Sequence, residues 1–244
     1  MRAAEHATTW LSSRPLLQIL KPASFRPEDS GIFYTTAFSP SLIYDGRNDP
    51  FAPTRGVFES ASLRYAPPGL STVQFGALNL QHSQAFPLAQ WLAFIYSARV
   101  AYGHAFSGDI VLPIRERYFL GGSTSVRGYA ENSLGPTDLN GNVIGGDLAM
   151  VLSLELRVPI IYQLSAAVFN DNGALFLTQC DASCEMERGV VGNGFTAANF
   201  RHSVGPGLRY MTPVGPISLD YGFKIDRRDG ESLGEVHFSI SGTF

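Results

Sequence analysis

The chain has 244 residues, a net charge of -3, only 16% charged residues, 12% aromatics and 25 glycines. No basic stretch offers a face to nucleic acid, and no window approaches the roughly 18 consecutive apolar residues of a membrane-spanning helix. A mean hydropathy of +0.03 still admits a transmembrane β-barrel, where only alternate residues of each strand face lipid.

Residues 1–30 form a poorly defined N-terminal segment. The opening, Met1 to His6, lacks the apolar core of a secretory signal although the rest reads as exported, so either an upstream part is missing or the gene is degenerate. Pro15 interrupts the run Trp10 to Lys21, and Pro22, Pro27 and Glu28-Asp29-Ser30 read as a loop. From residue 31 the chain repeats one unit, a run of about ten residues with period-2 polarity followed by a turn signal. The first turn, Asp45 to Gly56, holds Pro50 and Pro53, which fix φ, Thr54, which can bond its own backbone, and Gly56, which tolerates positive φ.

The runs Val57 to Tyr65, Val73 to His82 and Trp91 to Tyr102 are less regular, and Glu59 breaks an apolar face. The run at 148–158 sets Leu148, Met150, Leu152, Leu154, Leu156 and Val158 against Asp147, Ser153, Glu155 and Arg157. Its length fits a tilted membrane strand of about 9 to 11 residues better than a soluble strand of about 5 to 6. The run at 164–171 is blurred, because Phe169 shares a face with Asp171.

Alternation is complete in the last two runs. Ile217, Leu219, Tyr221, Phe223 and Ile225 oppose Ser218, Asp220, Gly222, Lys224 and Asp226. Val236, Phe238, Ile240 and Phe244 oppose Glu235, His237, Ser239, Ser241 and Thr243. Connections at 159–162 and 212–216 are tight, whereas 107–146, 176–201 and 226–233 are long, which is a barrel pattern. The expected fold is all-β, an antiparallel transmembrane β-barrel contributing about nine or ten strands of a larger barrel.

Candidate chemistry is sparse. Cys180 and Cys184, the only cysteines, read either as a surface-loop disulfide of an exported protein or as two free thiols, with no further ligands for zinc. Gly121-Gly122-Ser123-Thr124-Ser125 approaches a nucleophile elbow but ends in Ser and sits between strands. Asp138 to Asn142 opens like a calcium loop, yet Ala149 stands where the bidentate Glu belongs. His104, His202 and His237 are scattered and read as isolated. No catalytic residue, cofactor or metal is expected, and a passive porin or an outer-membrane enzyme are the rival readings.

Two segments carry more. Asp45 to Gly56 resembles the turn D-x-R-x-x-P-x-x-P-T-x-G of the BamA/TamA family, the bacterial surface-antigen barrels. Tyr118 to Tyr129 resembles the family's F-x-x-G-G-x-x-S-V-R-G-[FY] motif, with Gly121, Gly122, Val126, Arg127, Gly128 and Tyr129 on motif positions. The likeness continues through Ser153 to Pro159, Phe169 to Gly173, Gly205 to Tyr210 and Pro213 to Pro216.

The resemblance implies an outer-membrane barrel of a Gram-negative cell, residues 31–244 forming its C-terminal part, that assembles or translocates other proteins. It implies as partners outer-membrane lipid, unfolded client barrels and accessory periplasmic or lipoprotein subunits. It also implies that the motif loop folds into the barrel, with Arg127 meeting Glu155 and Asp171 of the inner wall as a loop-barrel lock. Phe244 then takes the place of the family's C-terminal aromatic signal. Charge screening in a wet lumen sets the expected worth of the lock at about 1–3 kcal/mol.

Overall fold

A computed structural model describes residues 34–106, 111–180, 190–193, 196, 199–213 and 215–240. The segment 1–30, Cys184 and Phe244 lie outside the described residues. Among the described residues nine strands follow one another: β1 Ser41–Asp45, β2 Gly56–Ala66, β3 Phe75–Ala89, β4 Leu92–Ala105, β5 Leu148–Ile161, β6 Leu164–Phe176, β7 Arg201–Thr212, β8 Gly215–Lys224 and β9 Gly234–Ile240. They form one antiparallel sheet in sequence order from β1 to β9.

Strands β2 to β8 run 10 to 15 residues, twice the length usual in soluble proteins. The runs read from the alternation are therefore extended in places: β3 continues past His82 to Ala89, crossing Pro87 at a register shift between Pro87 and Ala89. A proline there is tolerated because the ladder is already interrupted. Trp91 belongs to the β3–β4 turn rather than to β4.

The sheet is apolar on the outside. Leu78, Leu80, Val100, Leu152, Leu156, Val168, Leu208, Leu219, Val236 and Phe238 are all exposed on one face. The opposite face holds small and polar groups such as Ala77, Ala85, Ala93, Ser203, Asp220 and His237, all buried. Exposed Tyr44, Phe86, Trp91, Tyr162 and Tyr210 lie toward the rim of short connections, and Tyr65, Tyr102, Phe106 and Phe223 toward the other. A continuous apolar exterior between two aromatic girdles suits lipid and would aggregate in water.

The irregular runs have physical reasons. Glu59 faces outward, but its carboxylate lies 3.3 Å from His82 Nδ1, and His82 Nε2 reaches the Tyr96 hydroxyl at 2.7 Å. Tyr96 donates to Gln84 Oε1, so a polar chain crosses three strands. In the 46–55 connection, Gly56 adopts φ +107°, where a Cβ would strike the Gly46 carbonyl. The role expected of Thr54 falls instead to Asn48, whose Oδ1 accepts the N–H groups of Thr54 and Arg55; the Thr54 hydroxyl only accepts from Asn48 Nδ2. Arg47 closes the start of that connection by an ion pair to Asp45 at 2.7 Å.

Candidate functional site

The connection between β4 and β5 crosses to the inner face of the sheet. It carries a 3-10 turn, Ile114–Glu116, then runs through the glycine-rich motif. Leu120, Val126, Tyr129 and Leu134 pack with Ala149 and Val151 of β5 and Leu175 of β6 into one buried cluster. Ion pairing of Glu116 with Arg64 of β2 at 2.7 Å and donation from Arg99 of β4 to the Thr124 carbonyl tether the loop to the other side of the wall.

Three glycines shape the motif. Gly121, Gly122 and Gly128 have φ of +106°, +99° and +92°, a region closed to most side chains. A Cβ on Gly121 would strike the Ala130 carbonyl, and one on Gly122 the Glu131 carboxylate, which accepts the Ser123 N–H at 2.9 Å. The Ser125 hydroxyl accepts the Gly121 N–H at 2.8 Å, and the segment is a compact turn. The segment that opens like a calcium loop is likewise a turn, in which Asp138 Oδ1 accepts the N–H groups of Asn140 and Asn142.

Arg127 lies at the centre. Its Nε and Nη2 donate to Asp171 Oδ2 at 2.7 Å and Oδ1 at 2.8 Å, and its own N–H donates to Asp171 Oδ2 at 3.1 Å. This planar fork is available to guanidinium and not to an ammonium. Nη1 donates to Glu155 Oε2 at 3.2 Å, and Nη2 to the Ser153 hydroxyl. The guanidinium lies 3.6 Å from the centroid of the Phe169 ring. Phe169 faces inward with Asp171 because it is the platform for Arg127, which accounts for the blurred polarity of β6.

Sequence reasoning brought Arg127, Glu155 and Asp171 together but missed their surroundings. Glu155 also accepts from Arg157 at 2.7 Å and Arg209 at 3.0 Å, and Arg209 donates to Asp220 Oδ1 at 2.7 Å. Asp220 stands 3.6 Å from Arg127. Three guanidinium groups thus meet three carboxylates, drawn from the loop and four strands, with balanced charge. Parity already placed Asp220 and Arg157 on polar faces and could have extended the set.

A second cluster holds Tyr129 near the rim. Its hydroxyl donates to Asp226 Oδ1 at 2.7 Å, Arg201 lies 4.8 Å over its ring, and Arg201 pairs with Asp226 at 2.8 Å and Glu231 at 2.6 Å. Burial and then the bond to Asp226 push the Tyr129 phenol up. Burial opposes ionisation of Asp226, but Tyr129, the His202 N–H and Arg201 together bring its carboxyl below the usual range.

Wall glycines make room for this loop. A Cβ on Gly173 would strike Val126, one on Gly205 the Tyr221 carbonyl and the Phe169 ring, and one on Gly222 the Gly128 backbone. His237, read from the sequence as isolated, accepts the Gly128 N–H at 2.9 Å. His202 is not isolated either: Nδ1 lies 2.6 Å from Asn172 Oδ1. Cys180 is buried and disulfide-bonded, while Cys184, its expected partner, lies outside the described residues.

An antiparallel wall with a lipid-type exterior, a polar interior and a long loop folded against that interior defines a transmembrane β-barrel protein of the outer-membrane type. The chain matches the Omp85 superfamily domain over residues 6–244, and it belongs to that superfamily. It is 26% identical over 212 residues to the outer membrane protein assembly factor BamA of Neisseria meningitidis, covering 79% of this chain and 26% of the relative. It is 29% identical over 176 residues to the sorting and assembly machinery component 50 homolog of Mus musculus, covering 71% and 36%. The crystal structure of BamA from Haemophilus ducreyi lacking POTRA domains 1-3 superposes with a TM-score of 0.76 at 24% identity, over 90% of this chain and 45% of that one. The chain therefore spans about a quarter to a third of the length of these curated relatives.

Proposed function

We propose that this chain supplies the C-terminal, loop-bearing part of an outer-membrane barrel that assembles or translocates other outer-membrane proteins in a Gram-negative cell. Residues 31–244 form that barrel part, and the Arg127–Asp171–Glu155 contact locks the loop inside it. The work is physical: the barrel offers strand edges and a disturbed bilayer to unfolded clients, with outer-membrane lipid around it and accessory periplasmic or lipoprotein subunits at its side. No cofactor enters this reading.

The observation that carries it is the buried engagement of Arg127 with Asp171. A passive channel gains from an open lumen, whereas here a long loop is fastened across the inner wall by a charge-balanced network. Relatives with assembly in their names support the same reading. Depletion of the protein in its own cell should lower the amount of folded, heat-modifiable outer-membrane porins while their unfolded forms collect in the periplasm. Unchanged porin folding together with altered solute permeation would favour the channel.

A further inference from the structure

Among the described residues, strand β9 pairs with β8 over Ile217 to Phe223. Its polar tie to the motif loop among the described residues runs through His237, a buried side chain of β9. The Gly128 N–H points at His237 Nε2 at 2.9 Å across 109 residues of sequence.

That bond fixes the chemistry of the ring. A main-chain N–H only donates, so Nε2 must carry a lone pair and the ring must be neutral with its proton on Nδ1. The approach is also built into the wall. Gly128 lies against the Gly222 backbone of β8, where any Cβ would block the loop, and Gly222 pairs in register with Glu235, two residues before His237. The charged groups around the ring are Glu131 and Arg127 from the loop, Asp220 from β8 and Glu235 from β9 itself. A protonated ring loses its acceptor for Gly128.

We propose that His237 is a positioning residue that fastens strand β9 to the motif loop through Gly128, and that protonation of its ring releases the fastening. The inference rests on the loop being held inside the barrel as proposed above. It adds that the loop holds β9 as well as the wall at β5 and β6, and that this grip is proton-sensitive.

The test is hydrogen–deuterium exchange of the full-length protein in lipid nanodiscs, corrected for intrinsic rates, reading peptides over 234–240 and 120–130 between about pH 8 and about pH 5. Wild-type β9 should exchange roughly tenfold faster at the acid end, the effect of losing one buried hydrogen bond. His237→Leu should show that faster exchange at every pH. His237→Gln keeps a carboxamide oxygen for Gly128 and cannot titrate, so it should stay protected and lose the acid response. An acid response retained by His237→Gln, a wild type without one, or a His237→Leu protein with unchanged β9 exchange would each overturn the proposal. If His237→Leu does not fold, the comparison of wild type with His237→Gln still decides. Failure of the loop lock itself reads differently, as rapid exchange over 120–130 in the wild type at neutral pH.

Discussion

Asp171→Asn should free the motif loop far more than Glu155→Gln. The Asp171 side chain is 1% exposed and that of Arg127 8%, so the wet-lumen screening expected from sequence does not apply to this pair. Asp171 accepts both arms of the guanidinium fork, the Arg127 N–H and the Ser153 hydroxyl at 2.5 Å. Asparagine removes the charge and turns one acceptor into a donor facing a guanidinium, and breaking a buried pair costs about 3–5 kcal/mol.

Glu155 differs because two of the three arginines around it have other carboxylate partners, and the third, Arg157, can still donate to a carboxamide oxygen. After Glu155→Gln, Arg127 keeps Asp171 and Arg209 keeps Asp220, and the carboxamide oxygen still accepts. That loss should be about 1–2 kcal/mol. Trypsin cleavage after Arg115 and Arg117 in the full-length protein in lipid reads the open population when reclosing is fast. Asp171→Asn should accelerate it roughly 100-fold or more, and Glu155→Gln about tenfold. Arg127→Ala combined with Asp171→Asn should be no worse than either alone. Equal acceleration by the two acid substitutions, or additive damage in the double variant, would refute the ranking.

Three further outcomes follow from the same structure. Leu219, 48% exposed on the outer face, should cost ~2–4 kcal/mol as Leu219→Arg in vesicle refolding, whereas inward Ser218→Asn should stay within about 0.5 kcal/mol. Gly173→Ala drives a methyl into Val126 and should loosen the loop in the trypsin assay, with Val126→Ala restoring protection. The Asp226 and Glu231 carboxyls have folded values below their ordinary ones: burial opposes their ionisation, but Tyr129 at Asp226 and Arg201 at both outweigh it. Their stabilisation is present above the ordinary carboxylate range and lost as pH falls through the lower folded values. Exchange over the 226–233 connection should rise only there, and Arg201→Gln should weaken the dependence by removing the Glu231 share while Tyr129 still holds Asp226.

The long strands were legible because period-2 polarity needs only the contrast between lipid and lumen, and β8 and β9 obey it without interruption, while in β5 only Ala149 and Val151, which pack against the loop, depart from it. Val57 to Tyr65 and 164–171 resisted because the exceptions answer long-range partners. Glu59 is tolerated outward by His82 on another strand, and Phe169 is required inward by an arginine 42 positions earlier in a loop. No window of local sequence contains both halves of either contact. Arg127, Glu155 and Asp171 were found through the motif resemblance, with parity adding only the inward face of Glu155. His237 escaped because its partner is a backbone N–H, which leaves no mark in the sequence.

Wall and loop are held by different physics, and this decides how they can be separated. The wall rests on continuous backbone ladders and an apolar exterior, neither of which responds to proton or salt concentration over ordinary ranges. The loop is fastened by a small apolar cluster, a few charge pairs and hydrogen bonds to Asp171, Glu155, Asp226 and His237. Charge pairs of this kind give little net stability against an apolar alternative but fail sharply when one member is lost. That sharpness lets the loop be freed by loss of a single charge while the ladders beside it stay intact. Gly173, Gly205 and Gly222 make the same point from the wall's side. Filling any of them would strengthen the strand locally and exclude the loop or its aromatic platform, so the wall gives up strand stability at the points where the loop and its platform pack against it.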